Sequence, residues 1–363
     1  MEVMNAHIIN CREDDFENFV RDGYVGVGLV CRGTTAQHLS NACRTSYSMY
    51  SDMKTVRPGD LIFLHTEQKI YGIFEATTEF LEDAGAPPEF LSLNMHYAED
   101  LSRRGSGWRN LAPVPQIGDY RRVAIKHFEK DGNNLCFEEG FEATEIFELK
   151  RKNKVWSIPE RWKYTDAART VRPLMLNEAW ELYNLLKREN SDNSNRRIIQ
   201  PTNLANYVPI RFILNPRIVT DEKIIEGWIL SEIGRNRVLD KAIGHLTCFG
   251  NNVPIGYLKF ADIIGYHDLS EGLMKYKVIE VKKDKSIFPD NINQLLNYVD
   301  WVSENITHDR KLILGAIVAQ DFDRDCTAFV NNFNSIMIGV RIRLIKFAYS
   351  PPNFASLTLQ QVA

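Results

Sequence analysis

The chain has 363 residues, 44% of them hydrophobic and 25% charged, with a net charge of -3 at neutral pH. That length accommodates two domains with a core each, and the near-even charge balance excludes a protein that binds polyanions by bulk charge. Any nucleic-acid contact must come from local basic patches, with a steep dependence on salt. The start, MEVMNAHIINCREDDFENF, lacks a basic stretch followed by an apolar run, and no later segment reaches the length that crosses a bilayer. A cytoplasmic protein without membrane contact is expected. Six cysteines are spread along the chain with no CxxC pair and no histidine at zinc-ligand spacing, which reads as reduced thiols.

The first half reads mostly as strands and turns: GYVGVGLV, VRPGDLIFLH, KIYGIFEATTEF, YRRVAIKHFEK and FEATEIFEL. Pro58 and Gly59 make a turn before one strand, a polar turn follows, and a second strand returns, which predicts a hairpin. A small, strongly bent sheet or barrel with peripheral helices follows from that order. LNEAWELYNLLK is an amphipathic helix in which Trp180 and Tyr183 share one packed face. Then KRENSDNSNRRIIQPTN is polar, rich in Asn and Ser, and buries little. The expected division is a first domain over 1–190, a linker over 191–210 and a second domain over 211–363.

The second half changes character. TDEKIIEGWILSEI reads as a helix capped by Thr220, with acidic residues in its first turn. An extended stretch around YLKFADIIGYHD follows, with a strand end expected near Gly265. After it come the strand YKVIEVKK, a helix from about 291 to 305, the strand KLILGAIVA, a helix across DRDCTAFVNNF, and the strand VRIRLIKFAY. Helix, strands, helix, strand, helix, strand describes an α/β sandwich around a mixed sheet. The fold class as a whole is α+β.

Val278, Ile279 and Val281 mark YKVIEVKK as a buried strand, yet it carries Glu280 and Lys282. Period-two alternation points those two to one face. A buried carboxylate beside an ammonium is costly unless the two pair or hold a ligand. If the neighbouring strands pair, Asp262 of FADII reaches the same face. Two carboxylates then suit a hard divalent cation, and the lysine is left for phosphate or the attacking water. Glu226 of the preceding helix is a further candidate ligand, with Glu232 as its competitor, and Gln294 stands on the helix that follows. Asp321, Asp323 and Asp325 lack the glycine and terminal glutamate of a calcium loop, and acids at a helix N-terminus explain them.

The run from IIEGWILSEI through FADII, VIEVKKD, NINQLLNYVDW and LILGAIVAQDF resembles the PD-(D/E)XK nuclease superfamily, most closely its NucS-like branch, over residues 215 to 348. Carried over position by position, the resemblance implies a catalytic set of Glu226, Asp262, Glu280, Lys282 and Gln294, with Tyr298 one turn along. Asp262, Glu280 and Glu226 would bind Mg²⁺ or Mn²⁺. Ala261 stands where the superfamily's name has proline. VRPGDLIFLHTEQKIYGIFEATTEF is similar to the core hairpin of PUA-superfamily folds of the EVE and YTH kind, which implies a pocket for a modified base. Trp108, between Arg104 and Arg109, is the first candidate to stack on such a base, with Trp156, Tyr24 and Tyr47 as others.

Together these imply a metal-dependent DNA endonuclease directed to a base, in the manner of a modification-dependent restriction enzyme. The partner would be DNA carrying a modified cytosine, ahead of RNA, and cutting both strands would favour a homodimer. Two other readings stay open. One is a NucS-like nuclease for mismatched, branched or single-stranded nucleic acid. The other is a catalytically inert reader.

Overall fold

The structure is a computed structural model that describes residues 4–11, 13–28, 48, 51–66, 69–83, 120–130, 133–135, 139–152, 154–158, 171–190, 207–209, 221–255, 259–270, 273–337, 340–350 and 353–363. The fold is mixed α+β. Among the described residues, ten strands of the first half form one sheet that curls into a half-barrel. Its main path runs 207–209, 81–83, 120–130, 69–76, 61–65, 6–10, 171–174.

The expected hairpin is present: Leu61–His65 and Lys69–Ala76 pair antiparallel, Ile62 opposite Phe74. Gly59, at φ +92°, makes the turn before it, in a backbone region that residues with a Cβ rarely enter. Asp60 ties that turn down, accepting from the Asn5 and Arg57 amides at 2.8 Å each and pairing with His7 Nε2 at 2.9 Å. The central strand is apolar on both faces. Ile62 and Leu64 enter one core, with Phe19, Phe74 and Phe80, while Leu61 and Phe63 enter the other, with Leu182 and Leu186.

The second half is a six-stranded mixed sheet in the order 248–254, 260–270, 273–281, 313–319, 341–350, 353–361. Ile313–Ala319 lies between two parallel neighbours and is buried at every position, so it reads as a continuous apolar run. Asp290–Val302 and Arg324–Ile336 cover one face, and Glu222–Glu232 and Arg237–Ile243 cover the other. Gly315 lets the first of these close in, since a Cβ there would meet Leu295 Cδ2 at 3.0 Å.

Three expectations are corrected. FEATEIFEL is a two-residue strand, Phe141–Glu142, followed by the helix Glu145–Arg151, because Ile146 and Leu149 sit one helical turn apart on a buried face. Gly265 ends no strand: Phe260–Ser270 runs through it, and its missing Cβ leaves room for the Cys248 carbonyl, 2.6 Å from where that atom would lie. Asp221 caps the helix at 222, accepting from the Lys223 amide at 2.9 Å. Within the expected linker, Tyr207–Pro209 adds an edge strand to the first sheet, pairing with Leu81–Asp83.

The two halves are bonded to each other. Asn5 donates to the Thr55 carbonyl at 3.2 Å and accepts from the Phe249 amide at 2.8 Å. Arg57 stacks over the Phe249 ring and donates to the Leu230 carbonyl at 2.6 Å and to that of Ile233. Ile224 lies in the core of the first half while Ile225 and Ile229 lie in that of the second. The helix 222–232 therefore buries apolar side chains on two sides, as a helix packed between two bodies must.

Candidate active site

The site stands at the C-terminal end of strand Leu273–Val281. In the antiparallel register Ile263 faces Ile279, so one step further Asp262 comes opposite Glu280, both on the face covered by helix 290–302. The Asp262 Oδ2 accepts from the Val281 amide at 2.8 Å. Lys282 Nζ donates to Glu280 Oε1 at 2.5 Å. Glu280 is only 2% exposed, and its second oxygen, Oε2, is buried with no hydrogen-bond donor among the described residues. The pair that the sequence sets one residue apart thus compensates half of the buried carboxylate.

The electrostatics follow from that geometry. Burial, then the nearby Asp262 carboxylate, push Glu280 up to about 8 against the pull of Lys282. Tyr298 looks at the same charges. Burial raises its hydroxyl, and the Gln294 amide donates to it at 2.7 Å. Gln294 and Tyr298 lie one helical turn apart, so the amide–hydroxyl pair forms within the helix.

Glu226 is placed elsewhere. It is fully buried on the opposite side of Lys223, accepting from Ser51 Oγ at 2.7 Å, Asn251 Nδ2 at 2.9 Å and Lys223 Nζ. Both its oxygens are occupied. Lys223 in turn reaches Asn252 Oδ1 at 2.6 Å and Asp262 Oδ1 at 3.4 Å. Its ammonium is held charged by Glu226 first and then Asp262, against the cost of burial. The helix acid that faces the site is Glu222, one turn earlier, raised first by burial and influenced by Lys282 and Asp262. Glu232 lies at the far end of the helix, beside Asn236. Neither Glu222 nor Lys223 carries a signal in the sequence beyond that of ordinary first-turn charges.

Among the base-stacking candidates, Tyr24 is packed inside the first core, edge-on to Phe19 with the Arg122 guanidinium over its ring. Trp156 packs against Trp301 of the second half, ring centroids 6.2 Å apart. Trp108 and Tyr47 lie outside the described residues. Asp323 caps the helix 324–336, accepting from the Cys326 amide at 2.6 Å, the structural role expected of an acid there.

Among the described residues no three His, Cys, Asp or Glu side chains stand close enough together to hold a metal ion. Two carboxylates, one of them with an orphaned buried oxygen, fit a hard cation that keeps several waters and completes its shell with substrate oxygens, as Mg²⁺ does.

On the same strand, Lys277 points to the other face of the sheet and donates to the His245 carbonyl. Burial, reinforced by Lys275 and Arg343, lowers it to about 8. The unfolded chain therefore holds a proton that the folded one has lost between about pH 8 and 10.5, so this group makes stability rise with pH across that window. Melting curves of the wild type and Lys277→Met between pH 7 and 10 should converge as pH rises, with the variant higher at pH 7. A constant offset would exclude a strained lysine.

No protein-family model and no curated protein matches the chain. Among solved structures, it is similar to one titled "crystal structure of a repair endonuclease from Pyrococcus abyssi", at 14% identity over 76% of this chain and 100% of that one, with a TM-score of 0.24. Described residues contain no helix long and apolar enough to cross a membrane. A likeness that loose carries nothing for function, which rests on the residues themselves.

Proposed function

We propose that the chain is a DNA endonuclease that hydrolyses phosphodiester bonds with Mg²⁺ or Mn²⁺ held by Asp262 and Glu280. The observation that carries this reading is Glu280: buried, opposite Asp262, one oxygen on Lys282 and the other with no donor among the described residues. A cation bound there would supply Lewis acidity at a phosphoryl oxygen and a more acidic water. The chain's own residues do the rest. Asp262 is fixed by the Val281 amide, Lys282 offsets charge developing on phosphorus, and Gln294 with Tyr298 closes the side of the site under helix 290–302. Glu222 replaces Glu226 as the acid the preceding helix turns toward the site.

In this reading the first half recognises a base, a modified cytosine before others, and directs a cleavage domain that reads no sequence. Its support is the resemblance of the VRPGDLIFLH and KIYGIFEA hairpin. The test is incubation with Mg²⁺ or Mn²⁺ and matched duplexes that are unmodified, 5-methylcytosine-containing, 5-hydroxymethylcytosine-containing or mismatched. Cleavage confined to a modified duplex supports both halves of the reading. Cleavage of mismatched DNA keeps the nuclease and removes the reader of modification, and binding without cleavage of any substrate leaves an inert reader.

A further inference from the structure

We propose that Ser51 and Asp52, in the first half of the chain, are positioning residues of the candidate site in the second, and that they act on Asp262 through Glu226 and Lys223. The inference rests on the endonuclease reading for what the site does, and on hydrogen bonds for how it is held.

The link is a continuous set of polar contacts. Ser51 Oγ donates to Glu226 Oε1 at 2.7 Å, and Asp52 Oδ1 accepts at 2.7 Å from the Asn251 amide, which donates to the same Glu226 oxygen at 2.9 Å. Glu226 Oε2 holds Lys223 Nζ, which is aimed at Asp262 Oδ1, and Asp262 Oδ2 takes the Val281 amide one residue past Glu280. Every member up to Glu226 is buried, so each lost donor is felt by the next acceptor and not replaced by water.

The weakest contact in the set is the last before the site, Lys223 to Asp262 at 3.4 Å. A fully buried Glu226 that loses the Ser51 hydroxyl draws more heavily on its remaining donors. Lys223 is the charged one among them, its Nζ shared between Glu226, Asn252 Oδ1 at 2.6 Å and Asp262, so a stronger pull from Glu226 is drawn from the long contact to Asp262. Asp262 then loses its neighbouring cation, and its hold on the Val281 amide loosens. The segment that carries Ser51 cannot drift to compensate, since Arg57 pins it to the far end of the same helix through the Leu230 and Ile233 carbonyls.

Amide hydrogen exchange at Val281, with Ile279 and Ile317 as references in the same sheet, tests this without any cleavage. In Ser51→Ala the Val281 amide should exchange about tenfold faster than in the wild type while the references hold, a local opening and not a global one. Asp52→Asn, which changes no volume, should move the same amide in the same direction, and Ser51→Thr, which keeps the hydroxyl, should restore protection. Mn²⁺ titration followed by electron paramagnetic resonance should show weaker binding in Ser51→Ala, and cleavage should lose kcat with KM unchanged.

Val281 protection equal to the wild type in both Ser51→Ala and Asp52→Asn overturns the proposal. Equal loss of protection at all three amides also overturns it, since that is a general loss of stability. A selective response at Val281 in a chain that cuts nothing and binds no Mn²⁺ upholds the linkage and removes the endonuclease reading alone.

Discussion

For the proposed endonuclease, Glu280→Gln is expected to abolish cleavage, leave DNA binding intact and make the metal-free protein more stable. The first effect follows from the removal of a charged ligand at the reacting phosphate, for which a loss of roughly a thousandfold or more is the scale of a single group aimed at transition-state charge. The gain in stability comes from what the wild type tolerates. The Glu280 carboxyl is buried opposite Asp262 with one oxygen lacking a donor among the described residues and is held well above its ordinary pKa, so at neutral pH it opposes folding by about 1 kcal/mol or more, a cost that a neutral isostere does not carry. Stability given up at a site in exchange for chemistry is the usual relation between the two. Urea unfolding in EDTA, a cleavage time course and fluorescence anisotropy with a labelled duplex read the three effects separately. A variant less stable than the wild type in EDTA would mean that Glu280 supports the fold, and undiminished cleavage would take it out of the site.

Arg57→Ala is expected to produce a large loss of stability. The guanidinium lies buried between the halves, over the Phe249 ring, and satisfies two carbonyls at the end of helix 222–232 that have no partner further along the helix. Burial is also what lowers its pKa to about 10, with Arg235 adding to the effect. Each stranded carbonyl costs about 1–3 kcal/mol, so the change removes about 2–6 kcal/mol from a protein whose total is on the order of 5–15. Arg57→Lys recovers only part of this, because a single ammonium lacks the fork that reaches both oxygens. A loss below about 1 kcal/mol in urea would mean that water replaces the guanidinium and that the two halves do not depend on it.

The strand with Glu280 and Lys282 was legible because three apolar neighbours declare it buried while period-two alternation fixes which side chains share a face. The register of Phe260–Ser270 then brings Asp262 opposite, as two adjacent antiparallel strands require. The helix before them was not legible in the same way. Ile224 enters one core and Ile225 the other, so the apolar pattern names no single solvent face, and nothing local separates Glu222 from Glu226. Ser51 was beyond reach for a different reason: its partner is 175 residues away, and no spacing rule connects them. Gly265 misled because glycine also marks close backbone approach within a sheet.

Asn5 carries a consequence for the exchange of either half. One side chain donates to a carbonyl of its own half and accepts from an amide of the other, while Gly250 leaves room for Pro173, 2.6 Å from where a Cβ would lie. A cassette transplanted from another protein onto either half would have to bring a matching residue to each of these places at once. Exchange of either half alone would therefore leave the Asn5 contacts unmade and crowd Gly250 against Pro173, so the two surfaces are built as one fitted seam.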